Sequence, residues 1–235
     1  MTTPTIFSLK VLQAINDWQI CANTKRGNKL KSLAANLPLR YRTCQHECYR
    51  KINMNKGATF DLMGKFSLKE KISSWSTDID IVKKFKRGVT KDVLHEQSII
   101  FKLIPSCTQV IINLDEVYRC SRFQSELSLY KNDIKNFHKG IGKYLNTQAE
   151  VVLEVISVSP DDVYMLGGVS GSFDIRLAQY LSEYTDIEIK YSTKNNDFRI
   201  YKWLDESRTK AVISRVTKKC NYPYNVFANF YGLNP

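Results

Sequence analysis

The interval between apolar residues changes along this chain. Near the start it is the interval typical of a helix, and further on it is that of strands. Apolar residues recur every three or four positions between Leu9 and Trp18, which predicts a helix over residues 8–23. Later stretches, such as 98–104 and 148–155, are rich in β-branched residues and predict strands. A chain that mixes both periods, with most strands in its second half, is expected to fold as an α+β protein.

The same patterns place the other elements. Further helices are predicted over 28–36, 78–85 and 123–137, and further strands over 39–44 and 109–114. Residues 186–193 and 197–203 alternate around a Lys-Asn-Asn turn and predict a hairpin. Ser76 or Thr77 is expected to cap the helix over 78–85.

Composition excludes several classes of protein. The 43% of hydrophobic residues suffices for a packed core, and no apolar run reaches the roughly 18 residues of a membrane span. The start lacks the basic and apolar blocks of a secretory signal, so we expect a cytoplasmic protein with no membrane partner. None of the six Cys forms a CxxC pair. The cluster from Cys44 to Cys48 contains metal-ligand types, but a single cluster does not predict zinc, and we expect no metal.

The net charge of +12 is concentrated in the first quarter of the chain. Residues 1–60 carry ten Lys and Arg against two Asp and Glu, a net charge of +8. The densest run contains Lys25, Arg26, Lys29 and Lys31. Such a patch attracts polyanions, nucleic acid first and an acidic protein surface second.

Three short motifs carry the chemistry by their order along the chain. They are Tyr41-Arg42, Ser74-Trp75-Ser76-Thr77 and Gln148-Ala149-Glu150. Each is common on its own. Together they resemble the mono-ADP-ribosyltransferase family of the Arg–Ser–Glu type, in the QxE variant of pierisin-like and Rho-modifying members. The resemblance covers residues 37–156.

This resemblance implies a fold and a substrate. The fold would be α+β, with two packed antiparallel or mixed sheets and flanking N-terminal helices, and the co-substrate would be NAD. We expect a basic helical segment over 1–36, a transferase core over 37–165 and a β-rich extension over 166–235 that packs on the core.

The roles of the site residues follow from the same resemblance. Glu150 would stabilise the oxocarbenium-like state in which the nicotinamide–ribose bond breaks. Arg42 would bind the pyrophosphate with its two-pronged guanidinium, although Arg40 is an alternative ligand. Ser74 would hold Glu150. The remaining predicted cofactor-binding residues are Tyr41, Trp75, Ser76 and Thr77.

The acceptor is predicted from Gln148 and from the charge. Gln148 would project from the same strand face as Glu150 and orient the acceptor, because residues two apart on a strand share a face. An amide both donates and accepts, so Gln148 suits an acceptor that is a base edge or a carboxamide better than an acceptor that is a guanidinium. Tyr144 or Phe137 would face the acceptor, and Lys25, Arg26, Lys29 and Lys31 would bind it. A nucleic acid is favoured over a protein side chain, in a toxin or phage–host conflict role with an inhibitor or antitoxin protein as a further partner.

Two other readings of the sequence stay open. Asp78 and Asp80 resemble the paired carboxylates with which nucleotidyltransferases hold Mg²⁺ on a strand. A nucleic-acid-binding protein without catalysis would also explain the basic charge, but it leaves the order of the three motifs to coincidence.

Overall fold

The structure of the protein is a computed structural model that describes residues 5–55, 66–91, 96–170, 188–191 and 198–220. The chain divides into two compact units. The first comprises Met1–Arg50, Ser67–Val82 and Lys102–Ser157, and the second comprises Lys51–Phe66, Lys83–Phe101 and Val158–Pro235.

The described residues contain seven α-helices and four short 3₁₀ helices. The α-helices are α1 (Leu9–Ile20), α2 (Thr24–Ala34), α3 (Ile79–Lys84), α4 (Leu114–Arg119), α5 (Ser121–Tyr130), α6 (Ile141–Tyr144) and α7 (Glu206–Cys220). The 3₁₀ helices are Leu39–Arg42, Phe85–Arg87, Phe137–Lys139 and Pro160–Asp162. None of the helices in the described part of the chain is long and apolar enough to cross a membrane.

Ten strands lie in the same described ranges. They are β1 (Cys48–Asn55), β2 (Phe66–Ser67), β3 (Ile72–Ser76), β4 (Glu96–Leu103), β5 (Val110–Asn113), β6 (Glu150–Glu154), β7 (Ser157–Val158), β8 (Val163–Ser170), β9 (Glu188–Tyr191) and β10 (Phe198–Trp203). β2 and β7 form a small two-stranded sheet. The combination of antiparallel sheets and helices confirms the predicted α+β class.

In the first unit the strand order is β5-β6-β3-β1, with antiparallel neighbours throughout. Ser76 lies opposite Tyr49 of β1 on one side and opposite Glu150 of β6 on the other. Directly opposed residues point to the same face of a sheet. The end of β3 and the starts of β1 and β6 therefore meet at one end of this sheet, with these three side chains on one face.

The helices α1 and α2 share one hydrophobic core with this sheet, and Gly27 permits their close packing. The core includes Trp18, Leu30 and Val152, all of them at most 1% exposed. A Cβ atom on Gly27 would lie 2.9 Å from Ile72 Cγ2 and 3.1 Å from the Trp18 ring. The absence of a side chain at Gly27 therefore lets α2 approach both β3 and α1.

In the second unit the order is β4-β8-β10-β9, again antiparallel. Phe198 pairs with Tyr191, which confirms the two strands of the predicted hairpin, whereas the turn between them lies outside the described residues. α7 packs on β8, where the backbone N–H of Leu166 donates to Thr209 Oγ1 at 3.3 Å.

The prediction of a strand over 39–44 is wrong, because residues Leu39–Arg42 form a 3₁₀ helix. Pro38, with φ at −51°, starts this turn. Tyr41 then turns inward, where its ring meets the Phe7 ring edge-on with 5.1 Å between centroids. Burial of Tyr41 in the helical core outweighs the weak strand pattern, which contains no β-branched residue before Thr43.

Two helix boundaries also differ from the prediction. The helix predicted over 123–137 spans Ser121–Tyr130 and cannot continue through Asn136, whose φ of 58° is left-handed. The helix predicted over 28–36 begins at Thr24, because the Asn23 side chain caps it by accepting a hydrogen bond from the Arg26 backbone N–H at 3.0 Å.

Candidate active site

The carboxylate of Glu150 is the centre of the candidate site. Glu150 is the first residue of β6, and it is only 5% exposed. Its Oε1 accepts hydrogen bonds from Trp18 Nε1 at 3.0 Å and from the Ser74 hydroxyl, and its Oε2 accepts one from Gln19 Nε2 at 3.1 Å. Three donors thus replace the water that a buried carboxylate loses, and they fix both of its oxygens in place.

The strand β3 sorts its side chains between two faces. Ser74 and Ser76 lie on the face of Glu150, and Ser74 is exposed there. Ser73 and Trp75 lie on the opposite face, where Trp75 Nε1 donates to Ser73 Oγ at 3.1 Å. Trp75 is 2% exposed. The prediction that Trp75 binds the cofactor is therefore wrong, because a strand alternates its side chains and this one belongs to the core.

The turn before Glu150 corrects the prediction for Gln148. β6 begins at Glu150, and Ala149 has a left-handed φ of 44°, so Gln148 and Glu150 do not share a strand face. Ser76 Oγ donates to the Gln148 carbonyl at 2.7 Å, and the Thr77 N–H donates to the Ala149 carbonyl at 3.0 Å. The end of β3 thus fixes the backbone that presents Glu150, while the Gln148 side chain stays half-buried.

Sequence reasoning missed Trp18 and Gln19. Both belong to α1, and their contacts with Glu150 span 132 and 131 residues of sequence. Trp18 completes the apolar stripe of its helix, so its position signals only burial. A polar Gln19 next to that stripe carries no signal of its own in the sequence.

The predicted phosphate ligand lies outside any strand. Arg42 closes the 3₁₀ helix Leu39–Arg42, and its Nε donates to the Leu37 carbonyl at 3.0 Å. Thr43, the next residue, is anchored to the end of β5 by a hydrogen bond from Asn113 Nδ2 to its carbonyl at 3.0 Å. Arg40 is exposed, and its guanidinium stacks on the Tyr41 ring at 4.5 Å.

Tyr41 itself is a core residue. It is 1% exposed, and its hydroxyl donates to Cys120 Sγ at 3.0 Å. Burial raises the pKa of Tyr41, with the nearby Cys120 thiol acting in the same direction. The prediction that Tyr41 binds the cofactor is therefore wrong.

The dipeptide Tyr-Arg occurs a second time, at Tyr49-Arg50, and this copy does lie on the first strand. Tyr49 lies opposite Ser76, so the alternation along β1 directs Arg50 to the face away from Glu150. Arg50 Nη2 pairs with Glu70 Oε2 at 2.8 Å. The repeat of the dipeptide Tyr-Arg is a signal in the sequence that could have pointed to this second position for the first strand, which the sequence analysis missed.

A pocket of about 440 Å³ lies at the same end of the sheet as Glu150. Thr77 and Asn113 belong to its wall, so it lies beside the backbone that carries Arg42 and Ala149. Its lining is polar, with Asp115 pairing with Arg119 at 2.6 Å. The lining residues are His46, Glu47, Tyr49, Thr77, Asn113, Asp115, Glu116 and Arg119.

The basic residues predicted to bind the acceptor lie on or beside α2 and are partly paired. Lys31 Nζ lies 2.5 Å from Glu154 Oε2, and Lys29 Nζ lies 3.8 Å from Asp17 Oδ2. Arg26 Nη1 donates to the Cys21 carbonyl at 2.9 Å, while Lys25 is exposed. The patch therefore keeps only part of its formal charge free for a partner.

The two candidate aromatics both lie in the segment that leads to Glu150. Tyr144 ends α6, and Lys143 Nζ lies 5.0 Å from the centre of its ring. Phe137 starts a 3₁₀ helix, and Lys131 Nζ lies 5.3 Å from its ring. Both rings are half-buried. An aromatic contact with the acceptor stays a prediction for either residue.

The structure contradicts the strand that a nucleotidyltransferase needs around Asp78 and Asp80. Asp78 caps α3, where its Oδ1 accepts hydrogen bonds from the backbone N–H groups of Asp80 at 2.8 Å and Ile81 at 3.3 Å. Asp78 is thus the cap that was predicted at Ser76 or Thr77. Across the described ranges, no three His, Cys, Asp or Glu side chains group as metal ligands.

The thiols of Cys44 and Cys48 form a close buried pair, with 3.7 Å between their sulfur atoms. The hydrogen bond from Cys48 lowers the pKa of Cys44 to about 6, and the same contact raises the pKa of Cys48.

No protein-family model and no curated protein matches this sequence. Two solved structures of the Vis toxin, an ADP-ribosyltransferase from Vibrio splendidus, align with the chain, one of them in complex with the M6 inhibitor. The first has 13% identity over 87% of this chain and 72% of the toxin chain, and the second has 15% over 88% and 72%. The TM-score of 0.33 in both alignments is too low to establish a common fold.

Proposed function

We propose that this protein is an NAD-dependent mono-ADP-ribosyltransferase. The observation that carries the proposal is the Glu150 carboxylate, held by three donors opposite the Ser-x-Ser segment of β3. When the bond between nicotinamide and ribose breaks, its electron pair leaves with nicotinamide and positive charge develops on the ribose. A fixed carboxylate stabilises that charge. The acceptor then forms the new bond to the ribose carbon and loses a proton.

The chemistry needs a single carboxylate. The nicotinamide ring is cationic in NAD and leaves as a neutral molecule, so no general acid has to protonate it. Ser74 and Trp18 both donate to Glu150 Oε1, and these hydrogen bonds fix the position of the buried carboxylate.

The pocket beside Thr77 fits the sugar portion of NAD better than its phosphates. Glu47, Asp115 and Glu116 line it, and carboxylates accept hydrogen bonds from ribose hydroxyl groups. The pyrophosphate is assigned to Arg42, because Asn113 anchors the adjacent Thr43 at the pocket wall. Within the described residues, the hydrogen bond that Arg42 makes is from its Nε to the Leu37 carbonyl. Its two terminal nitrogens remain for charge-assisted bonds to phosphate oxygens.

The favoured acceptor is a nucleic acid. The net charge of +12 favours a polyanionic acceptor. The segment that precedes Glu150 adds four exposed lysines, Lys131, Lys135, Lys139 and Lys143. The amide of Gln148 suits the edge of a base. A cytoplasmic enzyme of this kind would harm its own cell, which is consistent with a toxin or phage–host conflict role and an inhibitory partner protein.

The acceptor is identified by the fate of label from NAD in whole lysate. We expect label that survives protease and is released by nuclease. Neutralising Lys25, Arg26, Lys29 and Lys31 should reduce transfer and flatten its dependence on salt, because fewer counterions are displaced. The charge-matched control neutralises Lys83, Lys84, Lys86 and Arg87. It should leave the rate of transfer and its dependence on salt unchanged.

A protein acceptor is the alternative, and the pairing of Lys29 and Lys31 with acidic residues favours it. Label that protease releases and nuclease does not, with transfer independent of salt, would establish a protein acceptor and contradict the nucleic-acid acceptor.

A further inference from the structure

The buried thiols of Cys44 and Cys48 form a pair that the proposed function does not use. Their sulfur atoms lie 3.7 Å apart, and each sulfur lies 3.7 Å from the carbonyl oxygen of His46, to which its S–H can donate. Both cysteines are free thiols. In a disulfide the two sulfur atoms would be about 2.05 Å apart, so they need only a short approach to form one.

The backbone between the two cysteines can accommodate that approach. The residues from Cys44 to Cys48 follow the 3₁₀ helix Leu39–Arg42, and Cys48 is the first residue of β1. Residues 45–47 are exposed and belong to no helix or strand. Such a loop adjusts its backbone more readily than a helix or a central strand does.

The surroundings of the two thiols give them different reactivity. The hydrogen bond from Cys48 lowers the pKa of Cys44 to about 6, and the same contact raises the pKa of Cys48. Cys44 is therefore a thiolate at neutral pH, which is the form that reacts with oxidants, whereas Cys48 keeps its proton. Cys44 is 7% exposed and Cys48 is fully buried, which favours an oxidant as small as hydrogen peroxide.

We propose that Cys44 and Cys48 are a redox-active dithiol that hydrogen peroxide converts to a disulfide. The Cys44 thiolate attacks one oxygen of the peroxide, the O–O bond breaks, and hydroxide leaves with the electron pair. This hydroxide takes up the proton that Cys44 had released, and Cys44 becomes a sulfenic acid.

Cys48 completes the reaction. Its sulfur attacks the Cys44 sulfur, the S–O bond breaks, and the departing hydroxide takes the Cys48 proton and leaves as water. The two thiols together lose two electrons, and one peroxide is reduced to two molecules of water. A thiol reductant reverses the change by thiol–disulfide exchange.

The disulfide would change the wall of the pocket at this end of the sheet. His46 and Glu47 lie inside the loop that the bond closes, Tyr49 follows it directly, and all three line the pocket. In the reduced protein the His46 carbonyl accepts from both thiols, and the Tyr49 hydroxyl donates to Glu47 Oε2. A disulfide has no S–H group, so the His46 carbonyl loses both donors as the sulfurs move together. Because this pocket is assigned to the sugar portion of NAD, oxidation should slow nicotinamide release, a consequence that rests on the proposed function.

The test exposes the whole protein to hydrogen peroxide, blocks the remaining thiols by alkylation, digests with trypsin and measures the mass of residues 43–50. This peptide contains Cys44 and Cys48 and no other cysteine. It should be lighter by two hydrogen atoms than the unalkylated reduced peptide, and dithiothreitol given before the alkylation should restore both thiols. The proposal is overturned if the peptide keeps both thiols at a peroxide concentration that oxidises the exposed Cys107, or if it only gains oxygen.

Two variants separate the roles of the cysteines. Cys48→Ser keeps a group that can donate to the Cys44 sulfur but cannot form the disulfide, so its peptide should stop at a sulfenic acid that dimedone traps. Cys44→Ser should leave Cys48 unreacted, because burial still favours the protonated thiol. Cys107→Ser, which removes an exposed thiol, is the matched control and should form the disulfide like the wild type. Equal trapping of Cys44 and Cys48 in the two variants would contradict these roles.

Nicotinamide release separates the redox site from the proposed function. In the wild type it should fall about tenfold on oxidation, because a displaced wall positions NAD less well, and it should recover on reduction. Release by Cys44→Ser should be the same with and without peroxide. Unchanged release once the disulfide has formed would overturn the effect on the pocket. A reduced wild type that releases no nicotinamide would overturn the proposed function, while the mass of the peptide would still decide whether the dithiol is redox-active.

Discussion

At the scale of residues, Glu150 depends on side chains that replace water. A carboxylate that is 5% exposed would be strongly destabilising unless donors surround it, and Trp18, Ser74 and Gln19 supply them. Because Ser74 both accepts from Trp18 at 3.2 Å and donates to Glu150, these groups form one network. The loss of one member should therefore change the orientation of the carboxylate.

The two neighbouring serines of β3 allow that effect to be measured. Ser74→Ala should lower kcat for nicotinamide release by about tenfold or more, since the carboxylate loses a charge-assisted bond from a fixed donor. It should change stability little, because Ser74 is exposed and water can donate to Glu150 in its place. Ser73→Ala removes the acceptor of Trp75 on the opposite face. That control should lose about 1 kcal/mol of stability in urea unfolding and keep its kcat. Equal kcat losses in both variants would contradict the assignment of faces.

The order of the motifs was enough to predict that Ser74 and Glu150 lie together, since a serine and a carboxylate on adjacent strands need only the correct pairing of β3 with β6. Trp18 and Gln19 were beyond reach, because their approach depends on how α1 packs over 130 residues away in the chain. Local patterns carry no information on such a contact.

At the scale of elements, the position of α1 on the sheet decides whether the site exists. Asn16, fully buried, anchors α1 to the segment before β6 by donating to the Lys135 carbonyl at 2.9 Å and accepting from the Ile141 N–H at 2.9 Å. α2 then holds the other side of α1 through the close approach at Gly27. The elements thus place the Trp18 N–H within reach of Glu150.

Gly27→Ala tests that packing. In an ordinary helix interior, Ala is more stable than Gly by about 1 kcal/mol. Here the added Cβ would lie 2.9 Å from Ile72 Cγ2, so we expect a loss of about 1–3 kcal/mol in urea unfolding. Asn28→Ala, at the exposed neighbouring position, should be neutral or slightly stabilising. A stabilised Gly27→Ala would show that α2 does not pack closely on β3.

Elements with a strong period were predictable, and those that depend on the core were not. The stripe from Leu9 to Trp18 gave α1, observed over Leu9–Ile20. The 3₁₀ helix Leu39–Arg42 was mistaken for a strand because the burial of Tyr41 against Phe7 is a tertiary contact. β1 went unrecognised for the same reason, since Cys48, Tyr49 and Lys51 are buried while their sequence looks polar and irregular.

At the scale of the whole molecule, charge and chemistry are separable. The net charge of +12 belongs to the whole chain, and we propose that it attracts a polyanionic partner in a salt-dependent way. In the proposed function, the cleavage of NAD depends on one buried carboxylate in the first unit, that of Glu150. Hydrolysis of NAD transfers the ADP-ribosyl group to water and needs no macromolecular acceptor. It therefore tests the role of Glu150 without reference to the partner.

The most direct measurement is nicotinamide release from NAD by Glu150→Gln and by its control Glu154→Gln. Both change a carboxylate to an amide on β6, but Glu154 is paired with Lys31 at the far end of the strand. With folding verified by circular dichroism, Glu150→Gln should release nicotinamide about 10²–10⁴ times more slowly than the wild type, and Glu154→Gln should match the wild type. Near wild-type release by a folded Glu150→Gln protein would contradict the account.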